Sequence, residues 1–246
     1  MRLASAFLIP AFLAVGATAA SASAKLLEPD LHVVRSDKPA IRVALTFDAC
    51  DGRTDERILS ALIDNKIPAT IFITAKWLKR NAAAFETMRA HPDLFELENH
   101  GARHVPAVDE PVKVYGISAA GSTDAVKAEV EGGAQALVAA GAPAPKWFRG
   151  ATAKYTATSI ELIHKLGFKV AGYSLNADGG SLLGAATTGK RIAAAKDGDV
   201  VIAHINQPTH AAGEGVVKGL LQLKSRGVTF VRLQDDNNAG SEPTTN

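Results

Sequence analysis

His100 and His104 stand four positions apart in the run ENHGARH, 98–104. Imidazole is the commonest metal-binding side chain, and it titrates close to neutral pH. Two imidazoles at this spacing can meet one ion from a single helix face, or from a strand end that turns. Leu94, Phe95 and Leu97 precede the pair and Gly101 lies inside it. A strand running into a turn is therefore expected, not a helix interior. Alone, the pair reads equally as two surface histidines in a polar loop, so its meaning depends on what the fold brings to it.

Several other reactive residues also close apolar runs. Asp48 follows IRVALTF, Arg149 follows Trp147 and Phe148, and His204 follows DVVIA. Asp178 comes just after the run 168–175 and Asn176. In a parallel α/β sheet all strand C-termini lie on one side. Asp48, His100, His104, Arg149, Asp178 and His204 are thus expected to converge although they are far apart in the chain. A carboxylate, imidazoles and a guanidinium on one face suit metal-assisted hydrolysis with a carboxylate base.

The elements that must position these groups alternate. Strands are expected at 41–47, 69–74, 94–97, 147–148, 168–175, 199–203 and 228–233, with helices between them. Thr54 is placed as the cap of the first helix, and Gly167 as the stop of the helix over 156–166. Residues 105–121 contain Pro106, Pro111, Gly116 and Gly121, and read as a long loop of the kind that serves as a lid or binding element. About seven near-continuous apolar strands alternating with helices imply a parallel sheet, open or closed into a barrel. The first turn lacks the glycine fingerprint of a dinucleotide site.

Composition narrows the class. Residues 1–24 read as an export signal: Arg2, an apolar stretch over 3–15, and Ala22-Ser23-Ala24 as a small-residue cleavage site. That implies a periplasmic or extracellular protein with no membrane span once the signal is removed. The formal net charge is only +2, and no run of Lys and Arg marks a nucleic-acid surface. A single cysteine excludes an internal disulfide, so stability rests on the core. Residues 25–236 are expected to form one domain, led by a polar stretch through 40, and 237–246 a disordered polar tail.

The motifs then carry a resemblance. LTFDACDG resembles the first motif of the polysaccharide deacetylases, in which TFDD follows the first strand. NHGARH resembles their second motif, H-S/T-x-x-H, FRGATAKY sits where their Arg-containing motif is expected, and DVVIAHINQP resembles their last. The likeness runs from about residue 41 to 233 in the same order. It implies a distorted (β/α) barrel of about seven parallel strands and a divalent metal, most often zinc. It also implies removal of N- or O-acetyl groups from an acetylated glycan of the chitin, peptidoglycan or xylan kind.

Carried over, the resemblance makes Asp48 the general base and His204 the general acid. His100 and His104 become metal ligands, Arg149 orients Asp48, and Asp178 supports Arg149 or His204. The family's second Asp falls on Ala49. The missing carboxylate is expected from Asp51, with Asp55 and Asp48 itself as alternatives. Cys50 is expected to be a small buried thiol, with thiolate ligation as the alternative. Arg149 is followed by Gly150-Ala151-Thr152 where the family has Pro-Tyr, and Tyr155 could fill the groove. Trp77 and Trp147 are expected in the core and His210 in a loop. Two other functions remain open from the residues: a glycan-binding module without a metal, and a metal amidase acting on a small non-sugar amide.

Overall fold

The computed structural model describes residues 25–35, 41–236 and 240–244, so the expected export signal and residues 237–239 and 245–246 lie outside the described residues. In chain order come β1 (Glu28–His32), β2 (Arg42–Ala49), α1 (Glu56–Asp64), β3 (Ala69–Ile73), α2 (Ala75–Arg80) and α3 (Ala82–Arg89). Next are β4 (Phe95–Asn99), β5 (Lys113–Val114), β6 (Ile117–Ser118), α4 (Thr123–Ala139), β7 (Trp147–Phe148), α5 (Ala157–Lys165), β8 (Lys169–Val170) and β9 (Leu175–Asn176). The chain ends with α6 (Ala185–Ala193), β10 (Val200–His204), α7 (Ala212–Ser225), β11 (Thr229–Val231) and β12 (Gly240–Thr244).

The central sheet runs β8-β7-β4-β3-β2-β10-β9 with every pairing parallel, and β11 adds to the start of β2. This is the distorted (β/α) barrel expected from the sequence. Val43, Leu45, Phe47 and Ala49 of β2 face the helices and join Ile58, Leu62, Leu220 and Leu223 in the larger core. The alternate residues face the barrel interior. There Ala44 joins Leu31, Phe72, Val200 and Val231, while Thr46 and Asp48 carry the polar part of the same face.

The structure departs from the sequence expectation in several places. The run 168–175, expected as one strand, is two short strands at opposite edges of the sheet. β1, expected as a featureless lead-in, lies against the gap between them: a Cβ on Gly172 would sit 1.9 Å from the Pro29 carbonyl oxygen. β1 also pairs antiparallel with β12, in a segment whose polarity read as a disordered tail; backbone pairing does not need apolar side chains. Thr54 does not cap α1. Asp55 does, its side chain accepting from the Arg57 N–H.

Candidate functional site

Strand register places the first two groups. His204 of β10 is the direct partner of Asp48 on β2, and Asp48 in turn pairs with Phe72 of β3. Asp48 lies at the C-terminal end of β2, buried, with its carboxylate in the barrel mouth. Arg149, fully buried just after β7, reaches it across the barrel: Nη1 donates to Asp48 Oδ1 at 3.0 Å and to Thr46 Oγ1 at 2.9 Å. The same guanidinium donates to the Gly172 and Ala171 carbonyls and stacks 4.3 Å over the Phe72 ring. A buried charge needs such complete engagement.

His100 is almost completely buried, and its Nδ1 donates to the Arg149 carbonyl at 2.6 Å. That bond fixes the tautomer and leaves Nε2 free as a ligand. Nε2 points to Cys50 Sγ at 3.4 Å and Asp48 Oδ2 at 3.6 Å. The His104 ring lies with its centroid 5.1 Å from that of His100, and its backbone adopts φ 62°. Cys50, two positions beyond Asp48, lines the same cavity. The ligand atoms of Cys50, His100 and His104 all lie within 4.8 Å of one another.

This donor set fits a zinc-type ion. A thiolate and two imidazoles are borderline-soft ligands, and on a tetrahedral ion a sulfur at ~2.3 Å and a nitrogen at ~2.0 Å stand about 3.5 Å apart. The carboxylate that the sequence offered at Asp51 borders the same cavity and is engaged by cations: it pairs with Arg80, and with Lys76 at 3.4 Å. Two cations hold it there. Asp55 is also engaged away from the group, clamped by Arg57 at 2.6 and 2.8 Å while it caps α1. Cys50 is buried, as the sequence leads one to expect, and its sulfur lies beside the two histidines, where the alternative of thiolate ligation would place it.

His204 projects from β10 with its Nδ1 donating to Asp178 Oδ1 at 2.9 Å, and its backbone N–H donates to Asp178 Oδ2 at 2.7 Å. Asp178 is fully buried in the loop after β9 and supports His204, not Arg149. Tyr155, which could have filled the groove, is buried, its hydroxyl accepting from the Gly150 N–H at 2.7 Å. Trp77 and Trp147 are core residues, and His210 bonds the Ser181 carbonyl in a loop.

One contributor escaped the sequence reading. Glu129 of α4 is buried, and its carboxylate accepts from the backbone N–H groups of Arg103 and Val105 at 2.9 and 3.1 Å. It thereby fixes the turn that carries His104. The signal was present: Glu129 falls on the same helical stripe as Val126, Val130, Gly133 and Leu137.

Charge is shared within the group. Burial, the largest influence, pushes the Asp48 carboxyl up, but His100, Arg149 and His204 outweigh it and hold it below the ordinary carboxylate value. Burial likewise opposes ionisation of Cys50, yet His100 and the neighbouring His104 and His204 bring the thiol well below its usual value. For His204 burial acts downward, and the Asp178 hydrogen bond and Cys50 reverse it, so the imidazole is held well above its usual value. Asp48, Cys50, His104 and His204 line a cavity of about 640 Å³, and His100 and Arg149 lie behind them.

A family model described as polysaccharide deacetylase matches residues 35–171. No curated protein matches the chain. Among solved structures, a CE4 family pseudoenzyme from Bacillus anthracis is 18% identical with a TM-score of 0.64; the match covers 82% of this chain and spans 66% of that one. The Bc1960 peptidoglycan N-acetylglucosamine deacetylase is 20% identical with a TM-score of 0.67, over 84% of this chain and 91% of that one. A family 4 carbohydrate esterase from Streptomyces lividans, solved with acetate, is 19% identical with a TM-score of 0.65, over 83% and 98%. At these identities the likeness is one of fold.

Proposed function

Since the chain belongs to the polysaccharide deacetylase family, we propose that it is an exported, metal-dependent hydrolase that removes acetyl groups from an N-acetylated or O-acetylated polysaccharide. The observation that carries this reading is the single cluster of Asp48, His204 and three ligand atoms at the mouth of one cavity. His100, His104 and the Cys50 thiolate would hold the ion, most simply zinc, in place of a carboxylate from Asp51. When bound there, such an ion supplies Lewis acidity, polarising a carbonyl and acidifying water.

The chain's own residues supply the rest. Asp48, kept ionised by Arg149, takes the proton of the attacking water. His204, with Nδ1 tied to Asp178, presents Nε2 to the cavity and hands its proton to the departing amine or alcohol. Asp178 fixes the ring and stabilises its charged form, as a buried carboxylate does for a catalytic imidazole. His100, tethered through Nδ1, would offer its other nitrogen to such an ion. Support for export comes from the apolar stretch at 3–15, and no helix among the described residues is long and apolar enough to cross a membrane.

The decisive experiment is acetate release from N-acetylated chito-oligomers and from peptidoglycan, with and without a chelator. Release that the chelator abolishes and zinc restores is the expected result. Metal bound at one ion per chain with no release from any acetylated sugar would move the assignment to an amidase of small non-sugar amides. A metal-free chain that still binds glycan would make it a binding module.

A further inference from the structure

Below Asn99 the central sheet opens. β4 pairs with β3 along its whole length, but with β7 only where Asn99 meets Phe148. The chain entering β7 turns its backbone to a side chain instead: the Lys146 and Trp147 N–H groups both donate to Glu98 Oε2 at 2.8 Å. This split holds a second cavity, of about 260 Å³, lined in part by Glu96, Leu97, Glu98, Lys146 and Gln234. Glu96 is the second residue of β4, whereas His100 follows its last, so the split lies towards the other end of the barrel from the histidines.

Oxygen atoms converge there. Glu96 and Glu98, two apart on one strand, point to the same face, and each is only 4% exposed. Glu96 Oε2 accepts from Thr70 Oγ1 at 2.6 Å and from the Gln234 N–H at 3.1 Å. Its other oxygen, Oε1, is buried with no hydrogen-bond partner. Burying an acceptor in that state is costly, so the atom calls for a proton or a cation. Leu97 adds a carbonyl. The Asn99 carbonyl accepts from the Arg149 N–H on the β7 side, and peptide groups two residues apart on a strand face the same way.

The charges nearby do not answer this need. Arg89 is drawn off by Glu86 at 3.1 Å, and Arg232 by Asp235 at 2.8 Å. Lys146 meets Glu98 through its backbone. Asp235 adds a further negative charge that acts on Glu96.

We propose that the split between β4 and β7 is a calcium site, with Glu96 Oε1, the Glu98 carboxylate and the Leu97 carbonyl as ligands and water completing the shell. Carboxylate and carbonyl oxygens suit a hard divalent cation. Calcium accepts the irregular geometry of three neighbouring residues on one strand, where magnesium demands a near-ideal octahedron. The thiolate and imidazoles that suit zinc lie together around Cys50, His100 and His104. Without the ion, burial and the Glu96 carboxylate push Glu98 up to about 9, so calcium displaces a proton when it binds. The ion braces β4 against the chain entering β7, the two strands that lead directly into His100 and Arg149. This brace stands whether or not the chain removes acetyl groups.

The test uses the full chain, saturated with zinc and freed of calcium, then titrated with calcium chloride near neutral pH by isothermal calorimetry. One calcium per chain is expected, with about one proton released to the buffer for each ion. Melting temperature should rise by about 3–6 °C at a calcium concentration of about ten times Kd. Glu96→Gln with Glu98→Gln keeps the volume of both side chains and should weaken calcium binding about tenfold or more, with the far-ultraviolet circular dichroism of the wild type. If the double variant does not fold, Glu96→Gln alone, which removes the charge at the bare oxygen, serves the same comparison. No saturable calcium binding by the wild type overturns the site and leaves the two acids sharing a proton. Calcium binding equal in wild type and folded variant overturns it as well, because the ion then sits elsewhere.

Discussion

Cys50 and Arg149 do opposite work at the residue scale. Cys50 offers one of three donor atoms that lie close together, and Ala49, its neighbour, faces the helix layer. The cobalt-substituted protein should therefore show a thiolate-to-cobalt charge-transfer band. Cys50→Asp should abolish that band while an ion still binds; a spectrum unaltered by the substitution would exclude sulfur as a ligand. Arg149 is a buried cation with two acceptors on β2 and two carbonyls between β8 and β9. Arg149→Leu leaves Asp48 buried without its main partner. A loss of about 3–5 kcal/mol in unfolding free energy is expected, measured by urea denaturation.

At the scale of elements, α4 positions the site without touching it. The helix packs closely on the 99–105 turn: a Cβ on Gly133 would meet Asn99 Oδ1 at 2.2 Å, so only glycine admits the approach. From one turn earlier Glu129 holds the turn's N–H groups, and with them the left-handed backbone of His104. Glu129→Ala should lower zinc affinity about 10–100-fold, read by competition with a chromophoric chelator. An affinity equal to wild type would show that the turn holds itself. The sequence places a helix between the strands expected at 94–97 and 147–148, but a charged residue on its buried stripe gained meaning only once the helix met the turn.

For the whole molecule, the barrel interior carries a second, unused pair of acids. Glu96 and Glu98 of β4 are both buried; Glu96 accepts from Thr70 at 2.6 Å, and Glu98 from the Lys146 and Trp147 N–H groups at 2.8 Å. Burial first, and then the Glu96 carboxylate, pushes Glu98 up from 4.5 to about 9. The folded value lies above the unfolded one, so folding takes up a proton in that interval. The contribution is intact below pH 4.5 and is lost as pH climbs towards about 9. Melting temperature should fall across this range, and Glu98→Gln should flatten the fall. Parallel curves for the two proteins would refute the assignment.

The sequence alone determined the alternation of strands and helices, the parallel sheet and the set of polar residues at strand ends. Those follow from local rules: apolar period, turn residues, and the one-sidedness of parallel strand ends. It also offered a resemblance that the match over residues 35–171 establishes as membership of the family. Only the tertiary structure brings the Cys50 sulfur beside the two histidines. Asp48, Cys50 and Asp51 lie within four residues, and one-dimensional spacing treats them alike. The difference between them comes from partners distant in the chain: Arg80 and Lys76 pair with Asp51 while His100 faces Cys50. The division of 168–175 into two edges has the same origin, because β1 packs at the gap from more than a hundred residues away. Side-chain chemistry is local, whereas competition for a partner is settled only when the whole chain has closed.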